Sequence, residues 1–346
     1  MPAKTYIRIG YAILFILLLV LFVVNLVLGS VMIPMEQLQK LLFSMDKADE
    51  IVAQIIFKSR LPQTITAILA GAALAVAGLQ MQTLFRNPLA DPSILGISSG
   101  ASLGVAFLVM MTSSLGVALI ASWGLFGHMA LVVTAFLGAF TVLLIILNLS
   151  RKINNNAVLL IVGIMIGYGS GAVIDVLKFL SPKEDVYAFV IWGMGSFSNV
   201  TNSQLLFMAP VALIGLTWSL FMTKHLNIML LGDNYGTNLG LNIKTTRFLI
   251  LSNTGLLTAL ITAFCGPIAF IGLAVPHLVK ALMKTSDHAI LLPSVIMAGA
   301  TLALACNFIA RLPGFDGTLP INSVTAFMGA PVVVWVLLKR RKENGF

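Results

Sequence analysis

Apolar residues run through this chain in blocks. The blocks at 11–31, 61–84, 93–119, 127–149, 157–180, 205–222, 248–264, 273–283, 290–309 and 321–338 each read as one helix. Most approach the roughly 20 residues a helix needs to cross a bilayer; the eighth is short. No water reaches that depth, so backbone groups must pair within the segment, which makes such a run helical. The pattern predicts an all-α, polytopic membrane protein of about ten transmembrane helices, built as a single transmembrane domain over 1–346. The first block is longer than a signal-peptide core and no small-x-small site follows it cleanly, so it reads as a retained helix.

Composition agrees. Apolar residues make up 59% of the 346 positions and charged ones 10%, against about a quarter charged in a water-soluble domain. An ordinary soluble enzyme is excluded. The net charge of +9 would suggest nucleic acid in a soluble protein; here basic residues hold loops on the cytoplasmic side, and no nucleic-acid partner is expected. With both termini inside, inner segments hold 14 of the 21 basic residues against 4 of the 12 acids. That asymmetry favours cytoplasmic termini, provided the helix count is ten. Cys265 and Cys306 both lie in apolar blocks and read as small core residues.

Gly71, Ala75 and Gly78 share one helix face, as do Gly100 and Gly104, which suits close packing of helices in lipid. Gly266-Pro267 interrupts a long apolar run, as a kink or as a turn between two helices. Asp175 and Lys178 stand at i, i+3 and can pair. His128 reads as interfacial, and His277 as bonded to nearby backbone. The outer segment 32–60 can hold an interfacial helix, and 186–192 can lie along the membrane surface.

There is no G-x-x-x-x-G-K-[ST], so no ATP-binding P-loop. Gly96-Ile97-Ser98-Ser99-Gly100 matches a nucleophile elbow, but a helix start at Asp91-Pro92-Ser93 precedes it rather than a strand. Buried carboxylates that would mark an ion-coupled carrier are nearly missing from the membrane middle. No catalytic or metal-ligand set is read, and an external energy source is favoured. The ion-coupled carrier and an intramembrane hydrolase using Ser98 remain as alternatives.

Several stretches together resemble the FecCD-type permeases, the membrane subunits of bacterial ABC importers for iron-siderophores, haem and vitamin B12. They are Arg60-Leu61-Pro62, Gly71-Ala72-Ala73-Leu74, Gln80 or Gln82, and the block Arg86-Asn87-Pro88-Leu89-Ala90-Asp91-Pro92 with Leu95-Gly96 and Ser99-Gly100-Ala101. Trp192-Gly193-Met194-Gly195-Ser196, 270–277, Leu319-Pro320 and Gly329-Ala330-Pro331 follow. The resemblance implies a homodimer in the bacterial cytoplasmic membrane, with the substrate passing between protomers. It implies two ABC ATPase subunits inside, which bind the ATP, and one substrate-binding protein outside; the chain itself needs no cofactor. Residues 224–246 are implied to be the cytoplasmic coupling loop, with Leu231, Gly232, Asp233, Leu239 and Gly240 meeting the ATPase. Arg60 and Arg311 match outer positions that receive acidic residues of the binding protein. Gln63 stands where the family usually has a second Arg, which removes one ion pair or turns it into a neutral hydrogen bond. Asn154, Asn155 and Asn156 fall where the family narrows its inner gate, although Asn is also a good helix cap. Iron(III)-siderophore is the commonest substrate, with haem and cobalamin as alternatives.

Overall fold

The computed structural model describes residues 3–29, 50–111, 125–153, 155–312 and 318–343. Asn154, and the parts of the expected segments at 30–49 and 112–119, lie outside these residues. The helices are α1 Ala3–Val27, α2 Glu50–Phe85, α3 Ile97–Met111, α4 Leu125–Lys152, α5 Asn156–Leu180, α6 Lys183–Gly193 and α7 Asn202–Phe221. They continue with α8 Thr223–Leu230, α9 Asp233–Asn238, α10 Ile243–Cys265, α11 Ile271–Met283, α12 His288–Ala310 and α13 Ile321–Glu343. Seven are long and apolar enough to cross a membrane, and α3, α11 and α13 are shorter apolar helices. Together they match the ten expected blocks one for one.

α2 is the hub. It packs against α12, α10, α11 and α7, and 89% of its most apolar stretch is buried, against 17% for α1 at the rim. Small residues let its neighbours in. A methyl added at Gly71 would stand 2.2 Å from the Gly299 carbonyl, and one at Gly78 would stand 1.9 Å from that of Gly272. Backbones this close gain the dispersion and weak hydrogen bonding that hold helices together in lipid. Gln80 of α2 also joins Ser219, Asn253 and Thr254 in a buried cluster, with bonds of 2.8–3.1 Å.

One boundary corrects the sequence reading. Residues 50–60 are not a separate outer element; they continue α2 upward, with Ile55–Arg60 wound as a π-turn. Glu50, Lys58 and Arg60 interrupt the apolar run, yet none of them breaks a helix, and Val52 and Ile56 pack on Val27. The run at 248–283 does break: α10 ends at Cys265, Gly266 takes a left-handed φ of 75°, and α11 starts at Ile271. It is a turn between two helices. Residues 186–192 lie within α6.

Candidate functional site

The inner face carries the first half of the site. Residues 224–246, expected to be the coupling loop, are largely two short helices, α8 and α9, joined at Gly232, whose φ of 108° strains any other residue. Leu226 and Met229 anchor α8 in the core, each 0% exposed. Asn227 Oδ1 takes the His288 backbone N–H at 2.9 Å, and its Nδ2 donates to Asp287 at 2.7 Å. Asp287 also caps α12 through Ala289 N–H, and these two bonds hold its carboxyl below the ordinary range. The opposite side of the segment is apolar and open: Leu231, Tyr235 and Leu239 are 60%, 68% and 61% exposed. Gly240, at φ 83°, has nothing within 4 Å of where a Cβ would be. Apolar side chains are thus raised on a firmly held pair of helices as an exposed knob.

Behind it, the turn after α2 is stiffly built. Arg86 ends α2 in a left-handed conformation, φ 48°, and its guanidinium pairs with Asp233. Asp91 caps the 3₁₀ turn Pro92–Leu95, taking the Ser93 N–H at 2.9 Å and its hydroxyl at 2.5 Å. Burial pushes the Asp91 carboxyl above its usual range. His277 Nε2 donates to the Pro88 carbonyl at 2.8 Å, so its partner is backbone, as expected, but backbone 189 positions away in the chain. A cavity of about 260 Å³ lined by Gln82, Arg86, Lys280 and His288 opens beside this turn.

The inner turn between α4 and α5 holds the expected gate residues. Asn155 caps α5, accepting from Ala157 N–H at 2.8 Å. Asn156 Nδ2 donates to the Leu84 carbonyl at 2.9 Å, while its Oδ1 is buried without a partner. Asn155 Oδ1 and Asn156 Nδ2 are thus engaged within the protomer. Asn154 lies outside the described residues.

The two arginines expected at the outer face are buried in this chain. Arg60 and Arg311 are 3% and 6% exposed; neither presents a free guanidinium outward. Arg60 Nη1 donates to the carbonyls of Leu26 and Val27, at 2.8 and 2.6 Å. Those are among the last carbonyls of α1, which have no partner within the helix. Arg311 donates to Gln63 Oε1 at 2.8 Å and to the Asn25 carbonyl at 3.0 Å. Gln63 donates in turn to Asn307 Oδ1 at 3.0 Å, and Asn307 donates to Asn25 Oδ1 at 2.8 Å. Gln63 therefore serves as an uncharged acceptor beside a buried cation. Burial, and then Arg60 nearby, lower the Arg311 guanidinium to about 10. A cavity of about 190 Å³ lined by Gln63, Ser196, Ser198, Asn199, Asn307 and Arg311 lies beside this knot.

Asn25, Asn307 and Arg247 were not singled out as site residues in the sequence. For Asn25 and Asn307 the signal was present, because polar residues inside apolar blocks need partners, whereas Arg247 stands just before its block; the partners of all three are far away in the chain. Asp175 and Lys178 do pair, at 3.2 Å. Ser98 lies on α3 with its hydroxyl 3.3 Å from that of Thr262, in a helix–helix seam rather than on an elbow.

The sequence profile described as the FecCD transport family matches residues 17–339. The hemin transport system permease protein HmuU of Yersinia pestis is 37% identical over 286 residues, covering 82% of this chain and 83% of that one. The vitamin B12 import system permease protein BtuC of Klebsiella pneumoniae is 37% identical over 286 residues, covering 83% of each. A solved metal-chelate type ABC transporter in an inward-facing conformation superposes with a TM-score of 0.82 at 29% identity, over 96% of this chain and 99% of that one. This chain, matched along nearly its whole length, belongs to the FecCD transport family.

Proposed function

We propose that this chain is the permease subunit of an ABC importer in the bacterial cytoplasmic membrane, with both termini inside. It moves an iron(III)-siderophore or a similar metal chelate inward. Haem and cobalamin are the closest alternatives, since the named relatives carry hemin and vitamin B12, and all three are bulky complexes centred on a metal. The chain has no catalytic site of its own; a partner chain binds and hydrolyses ATP. Two protomers pair, two ATPases attach inside and one binding protein docks outside. Closure of the ATPases moves α8 and α9 and shifts the bundle between outward- and inward-open packings.

The observation that carries this reading is the knob of Leu231, Tyr235 and Leu239, exposed on helices that Leu226 and Met229 fix to the core. Apolar side chains in the cytoplasm need a cover, and a groove on an ATPase supplies one. The test is capture of the tagged permease from its own cells in mild detergent, followed by mass spectrometry. We expect an ATPase in equal stoichiometry. A dimer reproducibly free of any ATPase would refute the reading. Bulky residues at Gly232 or Gly240 should uncouple ATP hydrolysis from transport in vesicles.

A further inference from the structure

Four contacts close a ring at the inner face. Asp233 opens α9. One of its carboxylate oxygens pairs with Arg86, at the end of α2. The other faces the Arg247 guanidinium at 3.8 Å. Arg247 lies in the first turns of α10 and is 4% exposed. Its Nη1 donates to the Ile153 carbonyl at 3.0 Å, in the turn between α4 and α5. From that same turn Asn156 reaches the Leu84 carbonyl, two residues before Arg86. Arg151, lying 4.7 Å from the centre of the Phe248 ring, adds a second tie between α4 and α10.

We infer that this ring carries movement of the coupling segment to the inner turn, and that Arg247 is the positioning residue at its centre. The inference rests on reading 224–246 as the ATPase contact. The two sides of the ring differ in stiffness. Arg86 and Asp233 have side chains 41% and 37% exposed, where water and salt weaken a pair and let it slide. Arg247 is buried, so letting go of a partner leaves a charge or a carbonyl uncompensated. Its planar fork reaches a carboxylate from one nitrogen and a carbonyl from another, a spacing that the single nitrogen of a lysine does not reproduce. When α9 moves, Asp233 either takes Arg247 with it, and Ile153 behind, or breaks a buried contact. Gly232 gives the segment a pivot directly ahead of Asp233, and Asn156 makes the inner turn answer to the end of α2 as well. The motion is passed on through a few buried contacts rather than absorbed.

The test uses the permease reconstituted with its ATPase and binding protein. A spin label on Lys152→Cys, an exposed position beside the turn, reports the distance across the dimer with and without trapped nucleotide. Cys265 and Cys306 are buried and stay unlabelled. Without a ring variant the distance should shift on trapping. Arg247→Lys keeps the charge facing Asp233 and loses the second reach, so the shift should shrink while ATP hydrolysed per substrate moved rises about tenfold. Asn156→Ala, which touches no buried charge, should weaken the shift from the opposite side of the ring. A residue that only stabilised the fold would lower the melting temperature and leave the shift and the ratio alone. A full shift and an unchanged ratio in Arg247→Lys would overturn the ring. A permease that captures no ATPase would overturn the reading beneath it, so the two failures are distinguishable.

Discussion

Gln63→Arg should loosen the outer ends of α1, α2 and α12. Gln63 gives Arg311 an acceptor at 2.8 Å and Asn307 a donor at 3.0 Å, and it is itself 5% exposed. Losing an acceptor from a buried charged donor costs about 1.5–3 kcal/mol. Two guanidiniums roughly 4 Å apart repel by about 4 kcal/mol at an effective dielectric near 20. Arg311 can relieve part of this by swinging into the polar cavity beside it, but the Asn25 carbonyl then loses its donor, and Asn307 has already lost the Gln63 amide. A net loss of about 3–5 kcal/mol is expected. The assay is thermal unfolding in detergent, followed by a thiol-reactive dye that reports Cys265 and Cys306 as they leave the core. Gln63→Glu is the matched control. It faces Arg311 with a carboxylate, loses only the donor to Asn307, and should stay within about 1–2 kcal/mol of the parent. If Gln63→Arg melts with the parent, Gln63 does not hold Arg311 and the knot is incidental. If Gln63→Glu falls as far as Gln63→Arg, loss of the amide explains both and charge explains neither.

Four further outcomes follow from single contacts. Gly78→Ala puts a methyl 1.9 Å from the Gly272 carbonyl, so the hub helix must shift, at about 3 kcal/mol or more, whereas Gly169→Ala meets nothing within 4 Å and should melt normally. Leu231→Ser and Leu239→Ser should each lose about 2 kcal/mol of ATPase binding, roughly thirtyfold in Kd, when titrated in lipid nanodiscs. Burial raises the Asp91 carboxyl in the folded state, so stability falls as pH rises from the ordinary carboxylate range through the raised value; Asp91→Asn keeps an oxygen for Ser93 and should flatten that decline in melting scans from about pH 4 to 8. Ser98→Ala loses only a 3.3 Å contact with Thr262 and should transport normally, whereas a dead variant would revive the hydrolase.

Helices were legible here because burying an unpaired backbone in lipid is prohibitive, so an apolar run of sufficient length has one solution. The start of α2 was not legible, because charge marks where an apolar run stops and not where a helix stops. The anchors of α8, Leu226 and Met229, look no different in sequence from the exposed Leu231 and Leu239. Only the packing of α8 on the core tells them apart. The polar partners were hidden by distance. Asn25 and Asn307 are 282 positions apart, and Arg247 and Ile153 are 94 apart, so only the topology brings them together.

The arginines hold the clearest lesson. In the sequence, Arg60 and Arg311 stand at membrane edges and invite an outward role, as charges ready for a partner. A guanidinium there also sees the free carbonyls at the end of a neighbouring helix, which accept without needing a second chain. Arg60 takes Leu26 and Val27, and Arg311 takes Asn25. A binding protein that recruits these arginines must therefore draw them away from the end of α1, and its carboxylates must outbid bonds already made. Under the docking proposed above, those carboxylates would trade against the carbonyls that hold the end of α1, so recruitment would be coupled to the hold of α1 on α2 and α12.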